Sequence, residues 1–160
     1  QAEKTIESRN LRLIPYQQFE LPSLALSING GGDFVAESDS GHAIVLDGAA
    51  EGGGRNRGMR PLELMALSVG SCSSYDVVSI LKKARQDISG CEASIKAQRV
   101  DAVPAVFESI HLHFTVTGKA LSDKQVERAV SLSADKYCSA SIMLRDAGVK
   151  ITHSYEVLEG

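Results

Sequence analysis

The hydrophobic positions change period along the chain, and the changes lay out the fold. Leu24, Leu26 and Ile28 alternate with Ala25, Ser27 and Asn29, a period of two that predicts a half-buried strand. Asn29-Gly30-Gly31-Gly32 is a turn signal. Residues 34–38 then read as a second strand, Asp39-Ser40-Gly41 as a turn, and residues 42–47 as a third strand with Ala43-Ile44-Val45-Leu46 as its apolar body. Together they predict a three-strand meander. A Gly-rich loop, residues 48–58, follows and carries Arg55 and Arg57. Pro61 suits the first turn of a helix, where its missing N–H costs nothing. That helix is predicted to run to about residue 85. From Leu62 to Leu81 it is apolar nearly all round, interrupted mainly by Ser, Gly, Glu63 and Asp76. A helix of this kind is normally central and buried. One small domain cannot cover all its faces, so a second subunit is expected against it.

The second half alternates again. Cys91, Ala93, Ile95 and Ala97 share one strand face, and Val103-Pro104 breaks the strand. Val106, Ile110, Leu112, Phe114 and Val116 line one face of a long strand, with His111, His113, Thr115 and Thr117 on the other. Ser122-Asp123-Lys124-Gln125 is a capping-box sequence, followed by Val126, Val130, Ser133 and Tyr137 at helical spacing. Residues 139–145 predict a further short helix, ended by Gly148, and residues 149–157 a last strand. The order βββ-α-ββ-αα-β defines an α+β domain. Residues 23–160 form this domain. Residues 1–22, broken by Pro15 and Pro22, read as a peripheral extension or as an extra element packed on a partner.

Length and charge narrow the class. The 160 residues suit one core. A formal net charge of −3 leaves no electrostatic footprint for nucleic acid or an anionic membrane. There is no apolar run expected to span a bilayer, and Gln1-Ala2-Glu3-Lys4 lacks the pattern of a secretory signal. Three cysteines (Cys72, Cys91 and Cys138) are too few and too odd in number for a disulfide scaffold, so a reduced, cytoplasmic setting is expected.

Candidate chemistry rests on the cysteines and histidines. Ser68, Cys72, Asp76 and Ser79 fall near one helical face, a thin polar stripe on an apolar rod. Asp76, one turn beyond Cys72, disfavours a thiolate there unless a cation offsets it. Cys72 is thus either a reactive thiol supplied with a positive partner, the Arg55, Arg57 and Arg60 loop being nearest in sequence, or a small buried residue. Cys138 lies at a helix junction and equally suits packing, and Cys91 reads as core. Glu63 lies about 13.5 Å along the helix from Cys72, on the opposite side, and favours the helix N-terminus instead. His111 and His113 share a face as an HxH pair, but no third ligand stands at a telling spacing, so a solvated sheet face is the simpler reading. His153 points to the apolar side of the last strand and reads as a satisfied core histidine. Gly52-Gly53-Gly54 lacks the Lys-Ser/Thr pair of a phosphate loop. No metal site or cofactor is expected.

Several segments in order resemble the OsmC/Ohr family of osmotically inducible and organic hydroperoxide resistance proteins, and most closely its OsmC-like branch. They are Glu37-Ser38-Asp39-Ser40-Gly41-His42, Arg60-Pro61-Leu62-Glu63-Leu64, Gly70-Ser71-Cys72-Ser73, Asp76-Val77-Val78-Ser79-Ile80-Leu81, His111-Leu112-His113-Phe114, Val116-Thr117-Gly118 and Asp135-Lys136-Tyr137-Cys138-Ser139. The resemblance spans about residues 24–158. It implies the OsmC-like fold, antiparallel sheets wrapped around long central helices in an intertwined homodimer. It also implies thiol peroxidase chemistry. Cys72 would attack a small organic hydroperoxide and become a sulfenic acid, Cys138 would resolve it to a disulfide, and a lipoyl-type dithiol would reset the pair.

Two family positions differ. The characterised peroxidases carry a Glu immediately after the motif Pro, where this chain has Leu62 and then Glu63. They also carry an Arg in the N-terminal meander, where this chain has Gly30-Gly31-Gly32-Asp33. Arg55, Arg57 or Arg60 is the candidate replacement. A non-catalytic OsmC-like binding or structural protein, retaining fold and cysteines, is the alternative.

Overall fold

A computed structural model describes residues 33–38 and 41–160. The chain divides into two compact units, residues 1–58 and 59–160. In the first unit, β1 (Phe34–Glu37) pairs antiparallel with β2 (Ala43–Leu46), Phe34 facing Leu46 and Glu37 facing Ala43. This is the later half of the expected meander; its first strand, residues 24–28, and the extension 1–22 lie outside the described residues. Beyond β2, the loop closes on Asp47. Its buried carboxylate accepts the backbone N–H groups of Gly48, Arg55 and Arg57 at 2.7, 2.9 and 2.9 Å. The Arg57 guanidinium lies 3.7 Å from the Asp33 carboxylate.

The second unit begins with helix α1 (Pro61–Lys83). Glu63 accepts the Arg60 N–H at 2.9 Å, satisfying one of the free donors at the helix start. Its position at the helix entrance is the one the sequence assigned. By length and mean hydropathy α1 could cross a bilayer, which corrects the expectation that no apolar run is long enough. One stripe of it, Ala66, Val69, Val77 and Leu81, is instead buried in the protein core. Gly70 fits beneath Ile95: a Cβ there would collide with the Ile95 Cδ1. Gly70 therefore serves close approach of a strand rather than a bend in the helix.

Strands β3 (Asp87–Arg99), β4 (Phe107–Lys119) and β5 (Lys150–Glu159) form one sheet in that order. β3 and β4 are antiparallel. β4 and β5 are parallel, a departure from an all-antiparallel arrangement. The reason is the connection: two helices lie between them, and a parallel pair needs such a crossover. Ile110, Leu112, Phe114 and Val116 are fully buried on the helix side of β4, as the alternation predicts. Val106 lies outside β4 and is exposed; Phe107 packs on the core in its place, next to a register shift at Gln98/Arg99.

The crossover holds α2 (Asp123–Leu132), a π turn (Ser133–Tyr137) and α3 (Ser139–Asp146). The expected capping box does not form. Ser122 makes no side-chain cap, and its N–H donates to the Gln86 side chain at 2.8 Å. Val126, Val130 and Ser133 are buried on one face, but Tyr137 is half exposed. The wide turn accounts for this. Cys138 N–H bonds Ser133 C=O at 2.9 Å, one residue more than an α-turn, so Ala134 and Cys138 take the inward positions.

Candidate thiol site

Cys72 stands in the middle of α1 and Cys138 is the N-cap of α3. The sequence separates them by 66 residues, yet the Cys138 sulfur lies 3.8 Å from the Val69 carbonyl, three residues before Cys72, and each thiol shifts the titration of the other. Both are reduced, as is Cys91. Their exposure differs: Cys138 is fully buried, while Cys72 keeps a partly open face.

Their surroundings differ more. Burial pushes the Cys72 thiol up, and its hydrogen bond with Cys138 and the charges of Cys138 and Asp76 add to this; the Ala140 N–H acts the other way. Asp76 is the carboxylate that the helical spacing placed one turn on. Its Oδ2 is buried without a hydrogen-bond partner, and burial raises its pKa, partly offset by Lys83. Burial also disfavours the Cys138 thiolate, but the polar side chains of Ser141 and Ser73, the Ser141 N–H and Cys72 outweigh it, and the Cys138 thiol ends below its usual range. The Ser141 N–H reaches the Cys138 sulfur at 3.4 Å, and the sulfur lies 3.8 Å from the Val69 carbonyl.

Three buried hydroxyls lie where α1 meets the crossover. Ser73, Ser133 and Ser141 are all fully buried. Ser73 and Ser141 hydroxyls lie 3.4 Å apart, and Ser133 donates to the Ser73 carbonyl at 2.9 Å. Sequence reasoning missed them. The available signal was the placement of Ser73 and Ser141 at inward helical positions, where serine is costly unless bonded.

Of the three candidate arginines, Arg57 faces Asp33 and contributes its N–H to Asp47, as Arg55 does. Arg60 stands twelve residues before Cys72, about 18 Å along α1 and beyond a side chain's reach in its own chain. Cys91 packs against the core as expected, its thiol pushed up by burial against a hydrogen bond with Ser74. His111 and His113 share the outer sheet face. Both bond the Ser154 hydroxyl, at 2.9 and 2.8 Å; His111 also meets Thr152, and His113 lies 3.7 Å from Glu156. Among the described residues, no group of three or more His, Cys, Asp or Glu converges as a metal site. His153 is on the helix side but not sealed in the core: it pairs with Asp135 at 3.5 Å.

A long core helix laid on a mixed sheet, with a two-helix crossover packed against it, makes this an α+β protein of the OsmC-like fold. The comparisons agree. A model of the family described as OsmC-like protein matches residues 52–154. Protein YhfA of Escherichia coli (strain K12) is 48% identical over 125 residues, covering 78% of this chain and 90% of that protein. The chain belongs to the OsmC-like family. A crystal structure of a hypothetical protein from Aquifex aeolicus VF5, 30% identical, superposes with a TM-score of 0.72 over 84% of this chain and 94% of that one. An organic hydroperoxide resistance protein from Elizabethkingia anophelis shares the fold at 14% identity, with a TM-score of 0.61 over 82% and 99% of the two chains.

Proposed function

We propose that the protein reduces organic hydroperoxides through Cys72 and Cys138. The observation that carries this reading is the approach of the buried Cys138 sulfur to α1, 3.8 Å from the Val69 carbonyl and close enough to Cys72 that each thiol shifts the other, with Cys72 the more accessible of the two. The Cys72 thiolate attacks the terminal oxygen of the hydroperoxide. The O–O bond breaks, an alcohol leaves with a proton, and Cys72 becomes a sulfenic acid. Cys138 sulfur then attacks the Cys72 sulfur, the S–O bond breaks, and water leaves with the thiol proton. A small dithiol of the lipoyl type returns both cysteines to thiols by exchange. The fold shared with a protein named for organic hydroperoxide resistance supports the substrate class. Hydroperoxide consumption with a dithiol is the test: Cys72→Ser abolishes it, and equal rates in wild type and variant overturn the reading.

A homodimer and a reducing cytoplasmic setting complete the proposal. Met65, Leu67 and Tyr75 on α1 are exposed, Tyr75 at 79%, which supports a second copy packing on the helix. Three cysteines, too few and too odd in number for a disulfide scaffold, support the setting.

One observation favours a second reading. The Cys72 thiol is held up in pKa, and the groups that raise it include Asp76. On that reading the protein is a non-catalytic OsmC-like binding or structural module. Rapid, stoichiometric disulfide formation with an organic hydroperoxide contradicts it.

A further inference from the structure

We propose that the outer face of the β3–β4–β5 sheet carries a small-anion site, a cleft ringed by Ser94, Lys96, His111 and His113 that takes a phosphoryl group. The inference is independent of the thiol chemistry, because these side chains lie on the sheet face opposite the buried row of β4.

Polar groups on an exposed sheet face can bond water, and ordering them costs side-chain entropy. Here they are tied in a row nonetheless. His111 Nδ1 meets the Thr152 hydroxyl at 2.8 Å, and its Nε2 meets the Ser154 hydroxyl at 2.9 Å. His113 Nδ1 meets the same Ser154 hydroxyl at 2.8 Å. Its Nε2 lies 3.7 Å from Glu156, which accepts from the Thr115 hydroxyl at 2.8 Å. Thr152, Ser154 and Glu156 all belong to β5, so both rings are held toward that strand. Between β4 and β3 remains a cleft of about 310 Å³, lined by Ser94, Lys96, His111 and His113. Ser94 faces His113 in register, and Lys96 faces His111. That volume is at the lower end for small-molecule sites, which fits a ligand of few atoms.

The lining selects an anion. No carboxylate lines the cleft, since Glu156 stands on the β5 side of His113 and is engaged by Thr115. Lys96 makes no ion pair among the described residues, so its ammonium donors can turn to a ligand, with the Ser94 hydroxyl beside them. The ring nitrogens are spent on β5, so the imidazoles act through charge. Histidine takes up a proton between about pH 5 and 8. This row accepts protons without losing a contact, because a hydroxyl can either donate or accept. With both rings charged, Thr152, Ser154 through its two lone pairs, and Glu156 face all four ring N–H groups. The other charged residues at outward positions of the three strands are Asp87 and Glu92 on β3, Lys119 on β4, and Lys150 and Glu156 on β5. Together with Lys96 they sum to zero. Imidazole protonation therefore sets the sign of this face, and a phosphate monoester dianion matches Lys96 plus one imidazolium.

Proton NMR of the imidazole C–H groups in the full chain tests the site, with methyl phosphate as the probe and sodium chloride at matched ionic strength as the control. At about pH 6, where histidine is largely charged, the His111 and His113 signals are expected to shift saturably with methyl phosphate. His153, paired with Asp135 on the helix side of the sheet, is expected to stay in place. Raising the pH to about 8.5 is expected to weaken binding about tenfold, as the imidazole charge is lost. Lys96 is exposed, so Lys96→Gln leaves the core intact, and it is expected to abolish saturable binding. Ser154→Ala is expected to weaken binding several-fold, because both rings lose a shared anchor. A chloride response equal to that of methyl phosphate, no saturation at the acid pH, or unchanged binding in Lys96→Gln overturns the proposal. The titration is repeated in Cys72→Ser protein, where the same binding is expected even if the peroxidase reading fails; binding that vanishes there also overturns the site.

Discussion

The Ser141 backbone N–H points at the Cys138 sulfur across 3.4 Å, which makes a cysteine, rather than a serine or aspartate, the N-cap of α3. An N-cap sulfur receives the free donors of the first turn and the positive end of the helix. Its partner Cys72 also receives a first-turn donor, the Ala140 N–H, but burial, Cys138 and Asp76 outweigh it, so the two thiols are unequal before any oxidant arrives.

That inequality predicts different products from the two serine variants of the pair. Cys138→Ser protein treated with hydroperoxide accumulates a Cys72 sulfenic acid that dimedone labels. Cys72→Ser protein gives no adduct at Cys138, which is buried from a bulky hydroperoxide. Peptide mapping by mass spectrometry reads both outcomes.

Asp76→Asn is expected to make Cys72 more acidic, because it removes a charge that raises the thiol. Alkylation by iodoacetamide at neutral pH should become faster at Cys72. The stability effect has a definite sign. The folded-state pKa of Asp76 is raised, so the native form favours the protonated acid, and stability is lost as pH rises from the ordinary carboxylate range through the folded value. Asn escapes that loss. The variant should melt higher than wild type at neutral pH, and the gap should close in acid; thermal melts across pH check it.

Asp47 behaves oppositely. The Arg57 N–H, against the effect of burial and with help from Arg55 and Gly48, holds its carboxyl below the usual range. Its contribution is present above the unfolded pKa and is lost as pH falls through the folded one. Asp47→Ala should speed amide exchange at Gly48, Arg55 and Arg57 at neutral pH, with the difference shrinking in acid. Exchange unchanged at those three amides contradicts the loop's dependence on this carboxylate.

Gly70→Val overfills the seat of Ile95. A loss of about 1–3 kcal/mol is expected, the usual cost of overpacking a core. Ile95→Ala in the same chain should recover part of it, because the clash is with a side chain that the second change removes. A denaturant double-mutant cycle measures the coupling; additive losses contradict the contact.

If a second copy covers α1, as proposed, a charge at its most exposed aromatic position should disperse the dimer. Tyr75→Glu should elute as a monomer in light-scattering chromatography where the wild type elutes as a dimer. A wild-type monomer contradicts the proposal directly.

Period and punctuation made most of this fold legible. The buried row Ile110, Leu112, Phe114 and Val116 follows from strict alternation, and α1 from its Pro start and predominantly apolar run. What escaped depends on contacts between distant segments. Gln86 takes the Ser122 N–H that a local capping box would have left to the side chain. The π turn adds a residue that no local period announces, and it alone turns Tyr137 out and Cys138 in. The direction of the β4–β5 pair follows from the crossover rather than from either strand. At the site, the polar stripe on α1 left Cys72 open as a reactive thiol, and only the family resemblance paired it with Cys138. Ser73 and Ser141 stayed hidden because a serine on a helix reads as surface until its partner from another helix is known.

The most direct test of the account is intact-mass and peptide analysis of the reduced wild-type protein after one equivalent of cumene hydroperoxide. Loss of the two hydrogens of a disulfide is expected, with Cys72 and Cys138 recovered as one cross-linked peptide pair and Cys91 still free. An unchanged mass, or oxygen added at Cys91 with Cys72 and Cys138 untouched, would contradict it.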